Sequence, residues 1–243
     1  MTKRYAMVID LRKCVGCSAC SVACRSQWGV ADYGSRTWVV ATGIEGTFPD
    51  LYQTHYVGQC NHCDDATCLN ECPTEATQKD ENGIVWVDPE VCIGCGLCID
   101  GCPYGARYLN RETKKVDKCD FCRPRLDQGL QPICEQTCIS GAKTFGDLGD
   151  PKSDVYDLVY RQGAQRLPSP GIDLGPNVYY LGEQRHIDLI AAKFPAIYPE
   201  SSKMTKVWKF LKPALLGATA LTFTGQAIAM GFQLSKNEDT HTD

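Results

Sequence analysis

Several things are missing from this 243-residue sequence, and each omission removes a class of function. There is no G-x-G-x-x-G turn and no P-loop, so no nucleotide site is implied. Histidine is sparse, with only His55, His62, His186 and His241, and no catalytic constellation forms around them. Neither sign of charge prevails: 25 Lys and Arg face 29 Asp and Glu, for a formal net charge of -4. That balance argues against nucleic acid as a partner. No secretory leader is visible, because the basic Met1-Thr2-Lys3-Arg4 is followed by only Tyr5–Ile9 before Asp10 interrupts. A twin-arginine pattern is also lacking. The chain is therefore expected to be cytoplasmic, processed, or exported with a partner.

Cysteine, by contrast, is abundant. Sixteen are present, and they fall into four packets of four. The packets are Cys14-x2-Cys17-x2-Cys20-x3-Cys24, Cys60-x2-Cys63-x4-Cys68-x3-Cys72-Pro73, Cys92-x2-Cys95-x2-Cys98-x3-Cys102-Pro103 and Cys119-x2-Cys122-x11-Cys134-x3-Cys138. This is an internal repeat with insertions, and every packet closes on the same x3-Cys step. A chain of this size with 43% hydrophobic residues has no need of disulfides to fold. Zinc ribbons use well-separated C-x2-C pairs and do not need a third cysteine two residues on and a fourth after three more.

The chemistry that needs this pattern is the 4Fe-4S cluster. Three thiolates from C-x2-C-x2-C wrap the cluster, and in two-cluster ferredoxins the fourth cysteine of each run serves the other cluster. The third packet matches that run completely, and the second carries two extra residues. Together they predict one cluster on Cys60, Cys63, Cys68 and Cys102, and another on Cys92, Cys95, Cys98 and Cys72. The same exchange gives Cys14, Cys17, Cys20 and Cys138 for a third, and Cys119, Cys122, Cys134 and Cys24 for a fourth. Spacing alone leaves open an exchange between the first and second packets. Metal coordination would come only through these sixteen cysteines. Thiolate clusters add negative charge, so Lys118, Arg123 and Arg125 read either as local compensation or as surface ion pairs. His62, between Cys60 and Cys63, reads as a loop histidine or as a tuning group. Trp28 and Tyr104 read as cover that keeps water off a cluster. His186 is a candidate contact to a quinone or haem.

Between the packets, Tyr5–Ile9, Trp38–Thr42, Leu51–Val57 and Ile84–Val87 are β-type runs, and Asp80-Glu81-Asn82-Gly83 is a turn. The x3-Cys step suits a helical turn leading away from a cluster. The fold class is α+β: two ferredoxin-like two-cluster units in a pseudo-two-fold arrangement, plus one C-terminal transmembrane helix. Residues 1–145 form the four-cluster domain, with 60–105 as the inner unit and 1–59 with 106–145 as the outer one. Residues 146–205 lack cysteine and are rich in loop signals. They are expected to be an extended partner-binding arm, with a small extra subdomain as the alternative. Pro213–Leu234 is uncharged; as a helix its 22 residues would span roughly 33 Å, enough for a hydrocarbon core. A membrane anchor is therefore expected over 206–235, with a polar tail over 236–243.

With the packets in place, the chain resembles the four-cluster iron-sulfur (beta) subunits of molybdopterin oxidoreductases. These include the subunits of dimethyl sulfoxide, polysulfide, thiosulfate, tetrathionate and arsenate reductases and of respiratory formate dehydrogenase. The resemblance covers about residues 5–150. It rests on Met7-Val8-Ile9-Asp10, Glu45-Gly46-Thr47-Phe48-Pro49-Asp50, Gln59-Cys60-Asn61-His62-Cys63, Cys102-Pro103-Tyr104-Gly105 and Asp117-Lys118-Cys119-Asp120-Phe121-Cys122. It implies the nested cysteine pairing given above and four 4Fe-4S clusters acting as a near-linear wire. That wire would link a molybdenum or tungsten catalytic subunit to a quinone-reactive membrane subunit of cytochrome b or polytopic type. The chain itself would do no bond chemistry. The C-terminal segment, with Trp208-Lys209 and Leu211-Lys212-Pro213, resembles the anchor of the formate dehydrogenase beta subunit. The implied location is the cytoplasmic membrane of a prokaryote, with the cluster domain on the periplasmic face by co-export; the lysines before the helix favour the opposite face. The iron-sulfur subunit of a membrane-bound hydrogenase is the alternative.

Overall fold

A computed structural model of the protein describes residues 3–167 and 173–194. All of these fall within the unit Met1–Pro199. The run Tyr5–Asp10 forms β1, the centre of a three-stranded sheet. It pairs antiparallel with β10 (Lys143–Asp147), Tyr5 opposite Asp147, and parallel with β11 (Val178–Leu181), Met7 opposite Val178. Its unbroken Ala6-Met7-Val8-Ile9 is what a strand covered on both faces requires. Met7 and Ile9 enter the core that holds Phe121, Phe145, Tyr180 and Ile187. Ala6 and Val8 face a second cluster of Leu148, Val155, Ala164, Tyr179 and Leu181.

That second cluster corrects the reading of 146–205 as an extended arm. In its described part this stretch folds back onto β1. Ser153 caps α6 (Asp154–Tyr156) by accepting from the Val155 N–H, and a π-helical turn (Asp157–Arg161) follows. Then come β11 and α7 (Gln184–Lys193), which buries Ile187 and Ile190. The physical cause is the outer face of β1, whose Ala6 and Val8 must be covered. Residues 148–152 connect β10 to α6, and the proline-rich 168–171 lies outside the described residues.

Each packet supplies a short helix at its x3-Cys step. These are α1 (Ala19–Trp28), α2 (Thr67–Asn70), α3 (Leu97–Asp100) and α5 (Ile133–Gln136), carrying Cys20, Cys68, Cys98 and Cys134. α1 packs against α5 and α2 against α3, so the first packet meets the fourth and the second meets the third. A single turn, α4 (Arg123–Leu126), follows Cys122.

The remaining strands make two-stranded ribbons. β2 (Thr37–Ala41) pairs with β5 (His55–Gln59), and β3 (Glu45–Thr47) with β4 (Asp50–Tyr52). β6 (Thr77–Lys79) pairs with β7 (Val85–Val87), and β8 (Tyr108–Leu109) with β9 (Val116–Asp117). Leu51–Val57, expected as one run, is two strands. Thr42 Oγ1 takes the Thr54 N–H and donates to the Thr54 carbonyl, which closes the β2–β5 ribbon there. Asp80 turns the β6–β7 ribbon by accepting from the Asn82 and Ile84 N–H groups. Among the described residues no helix is long and apolar enough to cross a membrane, and the expected span Pro213–Leu234 lies outside them.

Candidate iron-sulfur sites

None of the sixteen cysteines is paired in a disulfide. Among the described residues no group of three or more His, Cys, Asp or Glu converges tightly enough for a single ion. A cubane is several atoms wide, so its four thiolates stand further apart than the ligands of one ion. The donor set, all thiol and largely buried, fits such a cluster.

The thiols have defined neighbours. Burial pushes the Cys14 thiol up, and its neighbouring thiols are Cys20, Cys138 and Cys17. These four line one cavity. The loop entering it is held by the Asp10 carbonyl, which accepts from the Cys14 N–H at 3.0 Å. Gly16 is required here: it sits at φ +68, and a Cβ would lie 2.2 Å from the His55 ring. Gly94 is its counterpart between Cys92 and Cys95, at φ +69, where a Cβ would lie 2.0 Å from the Lys114 carbonyl oxygen.

Cys24 is pushed up to about 12 by burial, with Cys134 and Cys122 adding to the effect. Cys119 is raised by burial and then by Cys24 and Cys134. Trp28 Nε1 donates to Cys122 Sγ at 3.3 Å, so this tryptophan bonds a candidate ligand directly rather than only covering it. Burial also raises Cys63, followed by Cys60, Cys102 and Cys68. Cys98 is raised by burial, with Cys72 among its neighbours. Cys92 and Cys98 pack in one buried cluster, while Cys95 is exposed.

Adjacent groups also lie within electrostatic reach of each other, Cys134 of Cys20 and Cys119 of Cys60. The fourth cysteines of the last three packets share a backbone arrangement. Burial raises the Cys72 thiol, but the N–H groups of Thr77, Thr74 and Ala76 overrule it and hold the thiol below its ordinary value. For Cys138 the N–H groups of Lys143, Ala142 and Ser140 do the same. Cys102 receives N–H bonds from Ala106 and Tyr104, though burial keeps it raised. Such donors favour the thiolate that iron requires.

His62 is fully buried rather than in an open loop. Its Nδ1 accepts from the Val85 N–H at 3.0 Å, so its proton resides on Nε2. Burial, then Lys118, Arg107 and Lys79, hold its pKa well below the ordinary value, and its ring stacks on Phe121. His186 lies on α7 with its ring against Tyr52. Lys118 is buried and donates to the Val85 and Cys119 carbonyls. Arg123 lies over Trp86, whereas Arg125 is a surface residue bonded to the Gln131 carbonyl and the Gln136 side chain.

Two buried cations were not anticipated from the sequence. Arg107 donates to Cys68 Sγ at 2.8 Å and to Thr77 Oγ1 at 3.1 Å. Lys143 donates to Gln59 Oε1 at 2.8 Å and to Thr37 Oγ1 at 3.3 Å. The available signal was positional, since each stands five residues after the closing cysteine of its packet, Cys102 and Cys138.

Residues 52–148 match the 4Fe-4S dicluster domain family. The chain is 40% identical over 182 residues to the B component of tetrathionate reductase from Salmonella typhimurium, covering 74% of this chain and 72% of that one. It is 35% identical over 226 residues to the arsenate respiratory reductase iron-sulfur subunit ArrB of a Shewanella species, covering 73% and 96%. It is 37% identical over 188 residues to the B component of polysulfide reductase from Wolinella succinogenes, covering 76% and 97%.

Proposed function

Because the protein belongs to the family of 4Fe-4S iron-sulfur subunits that includes those of tetrathionate, arsenate and polysulfide reductases, we propose that its sixteen cysteines hold four clusters in series. The chain is an electron-transfer subunit, and 4Fe-4S clusters are its cofactors. Bound clusters supply one-electron carriers, while the protein's part is to hold, insulate and tune them.

The observation that carries the reading is the succession of thiol neighbours. Cys14, Cys17, Cys20 and Cys138 lie near Cys24, Cys119, Cys122 and Cys134, with Cys20 within electrostatic reach of Cys134 and α1 packed on α5. The second group adjoins Cys60, Cys63, Cys68 and Cys102 through Cys119 and Cys60. The last group, assigned as Cys72, Cys92, Cys95 and Cys98, is represented at Arg107 by Cys98, with Cys72 near it, and Arg107 reaches the third group at Cys68. The two exposed thiols, Cys17 and Cys95, belong to the terminal groups. Val15 and Ile93 beside them are exposed as well. Electrons arrive and leave where the ends of the series reach the surface, and the buried middle groups are shielded from water. The pairing within this series has the pseudo-two-fold character of two ferredoxin-like units.

The partners in this reading are a molybdopterin catalytic subunit carrying molybdenum or tungsten and a quinone-reactive membrane subunit. The reading also includes the membrane anchor expected over residues 206–235, which lie outside the described residues, with the cluster domain on the periplasmic face. No observation favours the hydrogenase alternative.

Iron and sulfide analysis of the anaerobically purified protein, with reductive EPR, tests the cluster assignment. Signals from about four interacting clusters are expected; zinc in place of iron, with no EPR signal, would reject it. Molybdenum or tungsten rather than nickel is expected in the co-purified complex.

A further inference from the structure

The closing cysteine of a packet is followed five residues later by a buried cation in two cases, Arg107 after Cys102 and Lys143 after Cys138. Both stand where the segment from the cysteine reaches a strand: Arg107 immediately precedes β8 and Lys143 opens β10. Both donate to a threonine on a neighbouring strand, Thr77 on β6 and Thr37 on β2. Neither has a carboxylate partner among the described ion pairs. A buried cation without an anion is costly unless negative charge lies nearby.

The negative charge nearby is sulfur, and for each cation it comes from two groups. Lys143 lines the cavity of Cys14, Cys17, Cys20 and Cys138, the first outer group. The strand that it opens, β10, packs against α5, whose Cys134 belongs to the second outer group. Arg107 donates to Cys68 Sγ at 2.8 Å in one inner group and also bonds Cys98 of the other.

We propose that Lys143 and Arg107 are equivalent tuning positions, each set between two thiol groups, so that Lys143 raises the reduction potentials of the outer pair of clusters and Arg107 those of the inner pair. The proposal rests on the cluster reading above. Reduction adds an electron to a cluster, and a fixed positive charge in a water-poor interior stabilises the reduced form. A cation shared by two clusters shifts both potentials in the same direction. These are positioning residues that act through the electrostatic field and transfer no electrons themselves.

An EPR-monitored redox titration of the full-length protein in its cluster-loaded form tests this. Lys143→Met should shift the outer pair toward lower potential by at least tenfold in the oxidised-to-reduced ratio at a fixed potential, about 59 mV for a one-electron couple. The inner pair should stay in place. Arg107→Met should do the converse, and the charge-retaining Lys143→Arg and Arg107→Lys should remain near the native values. If Lys143→Met does not retain its clusters, Thr37→Asp offers a second route: it keeps the lysine and pairs its charge at a position away from the ligand cysteines, and should lower the same two potentials. Unmoved potentials, or an equal shift of all four clusters, overturn the proposal. Loss of clusters from Lys143→Arg as well as Lys143→Met assigns the residue a structural role and overturns it too. A native protein without iron would instead remove the cluster reading, so the two failures are distinguishable.

Discussion

Asp10 ends β1 with its carboxylate against Arg12, which donates from Nε at 2.8 Å and from Nη2 at 2.7 Å. Burial works against the charge, but the Arg12 bonds prevail and the carboxyl is held below its ordinary value of 3.8. A lowered folded value contributes stability that is present above the unfolded pKa and lost as pH falls through the folded one. Asp10→Asn is therefore expected to cost about 1 kcal/mol at neutral pH, at the low end for a charge-assisted bond because Arg12 is half-exposed. Native and variant melting curves should converge as pH drops below 3.8; a gap that persists in acid would mean that the bond, not the charge, carries the effect. At this scale the sixteen cysteines were legible because no other residue type was spaced so strictly. Arg107, Lys143 and the buried state of His62 were not, because burial depends on strands that close over them from distant parts of the sequence.

At the level of elements, α7 illustrates cover supplied late in the sequence. Its Ile190 is fully buried in the core under β1. Ile190→Ala is expected to cost about 2–5 kcal/mol, the range for removing a large aliphatic side chain from a packed site. Anaerobic denaturation followed by the visible absorbance of the clusters would measure it, and a cost below about 1 kcal/mol would show that α7 is only loosely applied. The proposed swap of closing cysteines would follow from the pairing of α2 with α3. Cys72→Ser should damage the cluster assigned to Cys92, Cys95 and Cys98 and spare that of Cys60, Cys63 and Cys68. EPR of the variant showing the reverse loss would refute the exchange. β1 and the β6–β7 turn could be read from local sequence, since an unbroken apolar run and Asp80-Glu81-Asn82-Gly83 are local signals. The return of residues 143–193 onto β1 was not, because its cause is the uncovered second face of a strand far away in sequence.

For the molecule as a whole, ten of the sixteen cysteines are buried, so the cluster sites occupy much of the interior. Removing iron anaerobically with a chelator should abolish cooperative unfolding, because the thiols would be left around voids and the metal contribution to folding would be lost. Near-UV circular dichroism across a denaturant series is the measurement. A sharp transition in the iron-free protein at the native midpoint would show that apolar packing alone specifies the fold. The central position of β1 has a further consequence for how the protein is made. Translation delivers β1 first, yet its two flanking strands, Lys143–Asp147 and Val178–Leu181, emerge from the ribosome much later. On the proposed ligand sets, the inner sites between Cys60 and Cys102 are complete as soon as that stretch is made. The outer sites need Cys119 to Cys138 and the strands that flank β1, so the inner half is expected to load first.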